Sequence, residues 1–216
     1  MAAVSADEAA KLGTSLTPMG AEKAGNADGS ITAWQPLSTT AGSVDAKGFL
    51  SDPYGNDKPK FTITAQNVDQ YKDKLSPGQL AMFKRYPDTF KLPVYPTQRG
   101  STVPDSVFAA IKKNATTTNL VAGGNGLENF QIAIPFPIPK SGVELEGKKE
   151  MYIASNSYKL DSTSLKYADI IKPGHINQDL TRYELRRVWH VVGTLKPGQR
   201  HIYAKRDFYI DEDTWQ

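Results

Sequence analysis

Asp211-Glu212-Asp213 is a run of three consecutive carboxylates, and paired carboxylates can divide acid and base work between them when their surroundings separate their proton affinities. Placed just after a strand-like stretch, the three acids read more simply as a solvated turn. His175, His190 and His201 show no Asp-x-His or His-x-x-x-His spacing, so they read as structural or surface residues rather than metal ligands. Asn26-Ala27-Asp28-Gly29-Ser30-Ile31 has the centre of a calcium loop, but Ala24 and Gln35 stand where the first and last carboxylates belong. An Asx-type turn is the reading that remains. Gly123-Gly124-Asn125-Gly126 lacks the Lys-Ser/Thr of a phosphate loop and its strand-glycine-helix setting. Cysteine is absent, which removes disulfides, thiol nucleophiles and thiolate metal sites, and no Gly-x-Ser-x-Gly elbow occurs. No catalytic residue, metal ligand or cofactor is assigned from these residues.

Aromatic side chains gather more densely. Tyr152, Tyr158, Tyr167, Tyr183, Trp189, Tyr203, Phe208, Tyr209 and Trp215 all fall in the later part of the chain. On a sheet such residues form core or cross-strand pairs. On a sheet that curves around a cavity they line it, and an apolar lining suits a lipid or another hydrophobic ligand. Tyr152, Tyr158, Trp189, Tyr203 and Phe208 are the candidate ligand-binding residues.

The elements that would position them lie mainly after residue 148. Two runs rich in β-branched and aromatic residues flank Lys196-Pro197-Gly198-Gln199, which predicts an antiparallel hairpin over Tyr183 to Trp215 with a four-residue turn. Alternation puts Leu185, Arg187, Trp189 and Val191 on one face of its first strand, with Arg186, Val188, His190 and Val192 on the other. Its second strand should include His201 to Ile210. Glu150 to Ile153 and Tyr158 to Leu160 read as further strands, and Phe61 to Thr64 as a short one. Helical spacing begins at Asn67 with Val68, Tyr71 and Leu75. It resumes after Ser76, an N-cap, with Pro77 in the first helical position, and stops at Pro87. Short helices are also expected over Asp7 to Leu12, ended by Gly13, and over Asp105 to Asn114. The alternate prolines of Ile132 to Pro139 exclude a central strand. The sequence thus divides into an extended arm (1–60), helices with Pro-rich extended segments (61–142) and antiparallel strands (148–216). All belong to a single domain (1–216).

The 216 residues are 39% hydrophobic with mean hydropathy −0.47, and the 17 glycines and 14 prolines favour turns and extended segments. The 26 basic and 23 acidic residues nearly balance, and no basic block points to nucleic acid. No apolar run reaches the ~18 residues of a transmembrane segment. Ala3-Val4-Ser5-Ala6 has the small-residue pattern of a signal-peptidase site without an apolar stretch before it. Both a mature secreted chain and an ordinary Ala-rich start fit that pattern.

Leu16 to Trp34, Lys58 to Thr97, Gly123 to Gly142 and Lys166 to Trp215 together resemble a Gram-negative family described as outer-membrane lipoprotein-sorting-protein-like. The resemblance implies a mainly β (α+β) fold. It would be a strongly curved antiparallel sheet or open half-barrel with a few short helices and an extended N-terminal arm, similar to the carriers LolA and LolB. It also implies a periplasmic or outer-membrane-associated protein whose signal peptide has been removed. Family members are longer: they carry a segment between the counterparts of Ile138–Glu144 and Gly147–Tyr152, and they continue past the counterpart of Gln216. The chain is therefore expected to be a shortened member or an incomplete part of a longer one, with a discontinuity near 143–147. The function implied is a non-enzymatic carrier or binding protein for a lipid or other hydrophobic ligand, linked to outer-membrane or envelope transport and to envelope protein partners. The alternative is a structural scaffold of the cell envelope without a ligand.

Overall fold

A computed structural model describes residues 3–216 except 37–43, 45, 47, 102, 124, 140–144 and 196. Among the described residues the elements in chain order are α1 (Ala6–Ala9), β1 (Phe61–Ile63), α2 (Pro77–Arg85), β2 (Leu92–Val94), α3 (Asp105–Thr117), β3 (Asn119–Leu120), β4 (Leu127–Glu128), β5 (Leu145–Ala154), α4 (Tyr167–Ile170), β6 (Ile171–Lys172), β7 (His175–Ile176), β8 (Tyr183–Thr194) and β9 (Lys205–Asp211). This is a mixed α/β fold with short helices and several sheets, and no closed barrel forms among the described residues.

The main sheet is built around β8. β5 runs antiparallel along one edge, from Ala154 opposite Tyr183 to Leu145 opposite Val191. The other edge changes partner along its length. β2 meets it in parallel at Val94–Tyr183, whereas β9 pairs antiparallel from Asp211 opposite Val188 to Lys205 opposite Thr194. β1 extends the β2 side, with Thr62 opposite Pro93. Between the two partners, the 184–187 stretch of that edge has no neighbouring strand among the described residues. Its carbonyls are met by single donors: the Thr97 hydroxyl donates to Leu185 at 2.8 Å, and the Glu212 amide donates to Arg187 at 3.1 Å.

The face bearing Leu185 and its cross-strand partner Tyr152 is covered at the β2 end by an apolar core of Ile31, Ile63, Leu75, Phe83, Phe90, Leu92 and Val94. Phe83 reaches it from α2, whose start is fixed by a capping box. The Ser76 hydroxyl accepts from the Gln79 amide and the Gln79 side chain accepts from the Ser76 amide, with Pro77 in the first turn. Phe83 and Phe90 meet edge to face at 4.9 Å. The arm supplies Ile31, and Trp34, also buried, donates its indole N–H to the Ser101 carbonyl at 2.9 Å. Asp28 closes an Asx turn by accepting from the Ser30 amide. Gly20, at φ 98°, must be glycine, because a Cβ there would overlap the Pro137 carbonyl.

Several local expectations are corrected. The connection between β8 and β9 spans residues 195–204 rather than four residues, so Ile202 and Tyr203 lie outside the ladder; the Leu195 amide closes the loop on the Ala204 carbonyl. Residues 158–161 form a 3₁₀ turn instead of a strand, and Val68–Gln70 and Lys72–Lys74 are separate 3₁₀ turns rather than one α-helix. Each turn is closed by local i→i+3 bonds, such as Tyr71 amide to Val68 carbonyl. α3 continues to Thr117, past the expected Asn114. The expected discontinuity lies partly outside the described residues, at 143 and 144. β5 begins directly afterwards, and its register shifts between Leu145 and Gly147, where Gly147 takes φ 123°.

Candidate functional site

The partnerless stretch of the β8 edge is filled by a buried ionic lattice. Arg99 follows the 95–99 segment past β2, and its guanidinium satisfies five donors: Nε to Asp213 Oδ2 at 2.8 Å, Nη2 to Asp213 Oδ1 at 3.0 Å and to the Glu22 carbonyl, and Nη1 to the carbonyls of Ala24 and Thr32. Arg186 donates to Asp213 at 3.2 Å, to the Gln98 carbonyl at 2.8 Å and to Glu184 at 2.8 Å. Glu184 is fully buried and accepts from Arg182 Nε at 2.6 Å, from Asn156, from the Gln98 amide and from Arg186. Arg182 also reaches Asp57 at 2.7 Å and lies over the rings of Tyr54 and Tyr95. Lys148, across from Trp189 and over its ring, bridges Glu22 at 3.0 Å and Glu212 at 2.7 Å.

Asp211-Glu212-Asp213 is therefore not a solvated turn: all three carboxylates are buried. The turn is folded inward because Asp211 Oδ1 accepts from the amides of Asp213 and Thr214, which aims Asp213 at the two arginines. Burial pushes Asp211 up from the ordinary carboxylate range, with Arg186 opposing, and burial likewise pushes Glu212 up against the bond from Lys148. Burial also acts to raise Glu22, but the hydrogen bond and charge of Lys148 outweigh it and hold the group below its usual value. Glu212 Oε1 and Arg186 Nε are buried without a hydrogen-bond partner. Such a lattice binds chain segments together: Arg99 ties the arm to the C-terminal turn, and Arg186 ties that turn to β8. Its cost is the desolvation of every charge in it, which only complete pairing offsets.

The opposite end of β8 is different. Gly193, Leu195, Tyr203, Arg206 and Phe208, with Arg200 and His201, line an open groove of about 480 Å³ between the end of β8, β9 and the loop joining them. Phe208 and Tyr203 are half exposed, Arg206 lies over the Tyr203 ring and donates to His201, and none of the lining residues is acidic. Asp207 faces away, bonded to His190 at 2.8 Å, and that bond holds its carboxyl below the usual range.

Of the five aromatic residues singled out from the sequence, Tyr203 and Phe208 come together in this groove. Tyr152 is buried in the apolar core against Phe61 and Tyr71. Tyr158 borders a cleft of about 20 Å³ with Tyr54, Tyr95 and Arg182. Trp189 lies under Lys148. His175 bonds Thr89 and His201 meets Arg206, and no group of three or more metal-ligating side chains occurs among the described residues. Sequence reasoning missed the arginines. The signal available was the alternation Arg182-x-Glu184-x-Arg186, three charged residues at alternate positions with only Tyr183 and Leu185 between them.

The fold and the groove define an open mixed-sheet protein with one end of its main sheet uncovered. The chain belongs to the family described as a protein of unknown function, DUF1329, which matches residues 62–146 and 144–216. It is 47% identical to an uncharacterized protein of Pseudomonas aeruginosa over 353 residues, covering 100% of this chain and 78% of that protein. The chain has 216 residues against those 353 aligned positions, so 137 positions have no residue of this chain opposite them. No solved structure matches the chain.

Proposed function

We propose that this chain is a non-enzymatic binding protein that takes a lipid or other hydrophobic ligand on the open end of its main sheet, in the manner of the periplasmic carriers LolA and LolB. The observation that carries the reading is the groove beside Phe208. Its volume of about 480 Å³ lies within the range of small-molecule sites, and exposed Leu195, Tyr203 and Phe208 would lose apolar surface to water-excluding contact with an acyl chain. Arg200 and Arg206 on the same lining favour an acidic head group over a neutral one. No helix among the described residues is long and apolar enough to cross a membrane. A location in the periplasm or at the outer membrane, with envelope proteins as partners, belongs to the same proposal.

Native mass spectrometry of the protein after mild extraction tests it. A co-purifying lipid that is retained by the wild type and lost from Phe208→Ser supports the reading, and protein free of adducts together with no uptake of added fatty acid contradicts it. A scaffold role without ligand is favoured by a specific feature: the β2 end of the same face is already filled by the protein's own Phe83, Phe90 and Ile31.

A further inference from the structure

The break between the two family-matched stretches falls at 144–146, and this is also where β5 begins. Leu145, the first residue of β5, stands opposite Val191, and Val191 stands opposite Phe208 on β9. These three residues form one row across the sheet. With strands ~4.8 Å apart, the point of the break lies only about 10 Å from Phe208. The 137 aligned positions that have no residue of this chain opposite them would, if inserted at that break, emerge beside the groove.

We infer that the groove face of the β8–β9 end is the docking surface for this additional polypeptide in the longer relatives, and no described residue of the present chain covers it. The exposure pattern agrees with a covered surface left open. Leu195, Ile202, Tyr203 and Phe208 are large apolar residues exposed within one hairpin end, whereas among the described residues the β2 end of the same face exposes no comparable group from its sheet. β9 adds an outer edge with no strand beside it among the described residues, which an entering segment can pair with through its backbone. The occupant is thus a segment of the same polypeptide in the relative, entering near the counterpart of Leu145. The inference is independent of the ligand reading, because a segment can cover the hairpin end with or without a lipid beneath it.

The chain has no cysteine, so single-cysteine variants report cleanly on accessibility. Phe208→Cys and Tyr203→Cys in this chain, and the same substitutions at the aligned positions of the Pseudomonas protein, are delipidated and labelled with a maleimide after circular dichroism confirms folding. Labelling is expected to be at least tenfold slower in the longer protein at both positions. A photo-crosslinker attached at the same cysteine of the longer protein is expected to join peptides from the 137-position stretch. Equal rates in the two proteins, slow labelling in this chain, or crosslinks only to other regions would each overturn the inference. Absence of fatty-acid uptake by the unsubstituted chain, with the difference in labelling intact, would count against the ligand reading alone.

Discussion

β8 is a single strand with two unlike ends. Just past its start, at residues 184–187, one edge has no strand partner among the described residues, and beside that gap Arg99, Arg182 and Arg186 are locked to Glu184 and Asp213. At its finish the β9 side of the strand is paired through Thr194 and Lys205, yet Phe208 and Tyr203 are exposed. Buried charge gathers where a neighbouring strand is missing, and apolar surface is exposed where the β9 ladder is formed. The difference teaches that the two ends answer separate needs. A gap in a ladder leaves backbone groups that only polar neighbours can satisfy, whereas a complete ladder leaves its faces free to meet another surface.

The comparison is broken most forcefully at the charged end. Arg186→Met leaves Glu184 and Asp213 short of a buried partner and is expected to cost about 3–5 kcal/mol in urea unfolding, because one member of a buried ion pair is removed. A loss under about 1 kcal/mol would mean that the lattice is not what closes the sheet edge.

The acidity of the same end gives the next effect. Asp211 and Glu212 are raised by burial above ordinary carboxylate values of 3.8 and 4.5, so the folded protein holds these protons more tightly than the unfolded chain, and stability falls as pH rises through the raised values. Glu22 and Asp57 are lowered: burial opposes the shift in both, but Lys148 outweighs it at Glu22, and Gln98 and Arg182 do so at Asp57. Their contribution is lost as pH falls through their folded values, below 4.5 and 3.8 respectively. The melting temperature should therefore peak in mildly acidic solution, above those values, and decline on both sides in a scan from about pH 3 to about pH 8. Glu212→Gln should flatten the alkaline side.

Smaller effects sharpen the contrast. Ser76→Ala removes the cap of α2, which delivers Phe83 to the filled half of the face, and is expected to cost about 1 kcal/mol. Phe208→Ser at the open end should change stability by less than about 0.5 kcal/mol, as surface substitutions do. If it destabilises as strongly as Arg186→Met, Phe208 belongs to the core and the groove is not a free surface.

Much of the fold was legible in local signals. Ser76-Pro77 marked the start of α2, the alternation of β8 marked its two faces, and Asn26 to Ile31 marked the Asx turn. The hairpin turn was misread because Pro197-Gly198 is a strong local turn signal, while the register is set by pairing of Thr194 with Lys205. The ionic lattice was not legible because its members lie far apart in the chain. Arg99 and Asp213 are 114 residues apart, and nothing near either residue announces the other. The aromatic residues were legible as sheet residues but not as a set, since parity assigns a face and cannot say which part of that face is already covered. Tyr152 is covered by α2 and its neighbours; Phe208 is not.

Titration of a fluorescent fatty acid against the wild type, Phe208→Ser and Tyr152→Phe is the most direct test of the proposed role. The account predicts saturable binding that Phe208→Ser weakens at least tenfold and that Tyr152→Phe leaves intact. Absence of saturable binding, or equal binding by all three proteins, would contradict it.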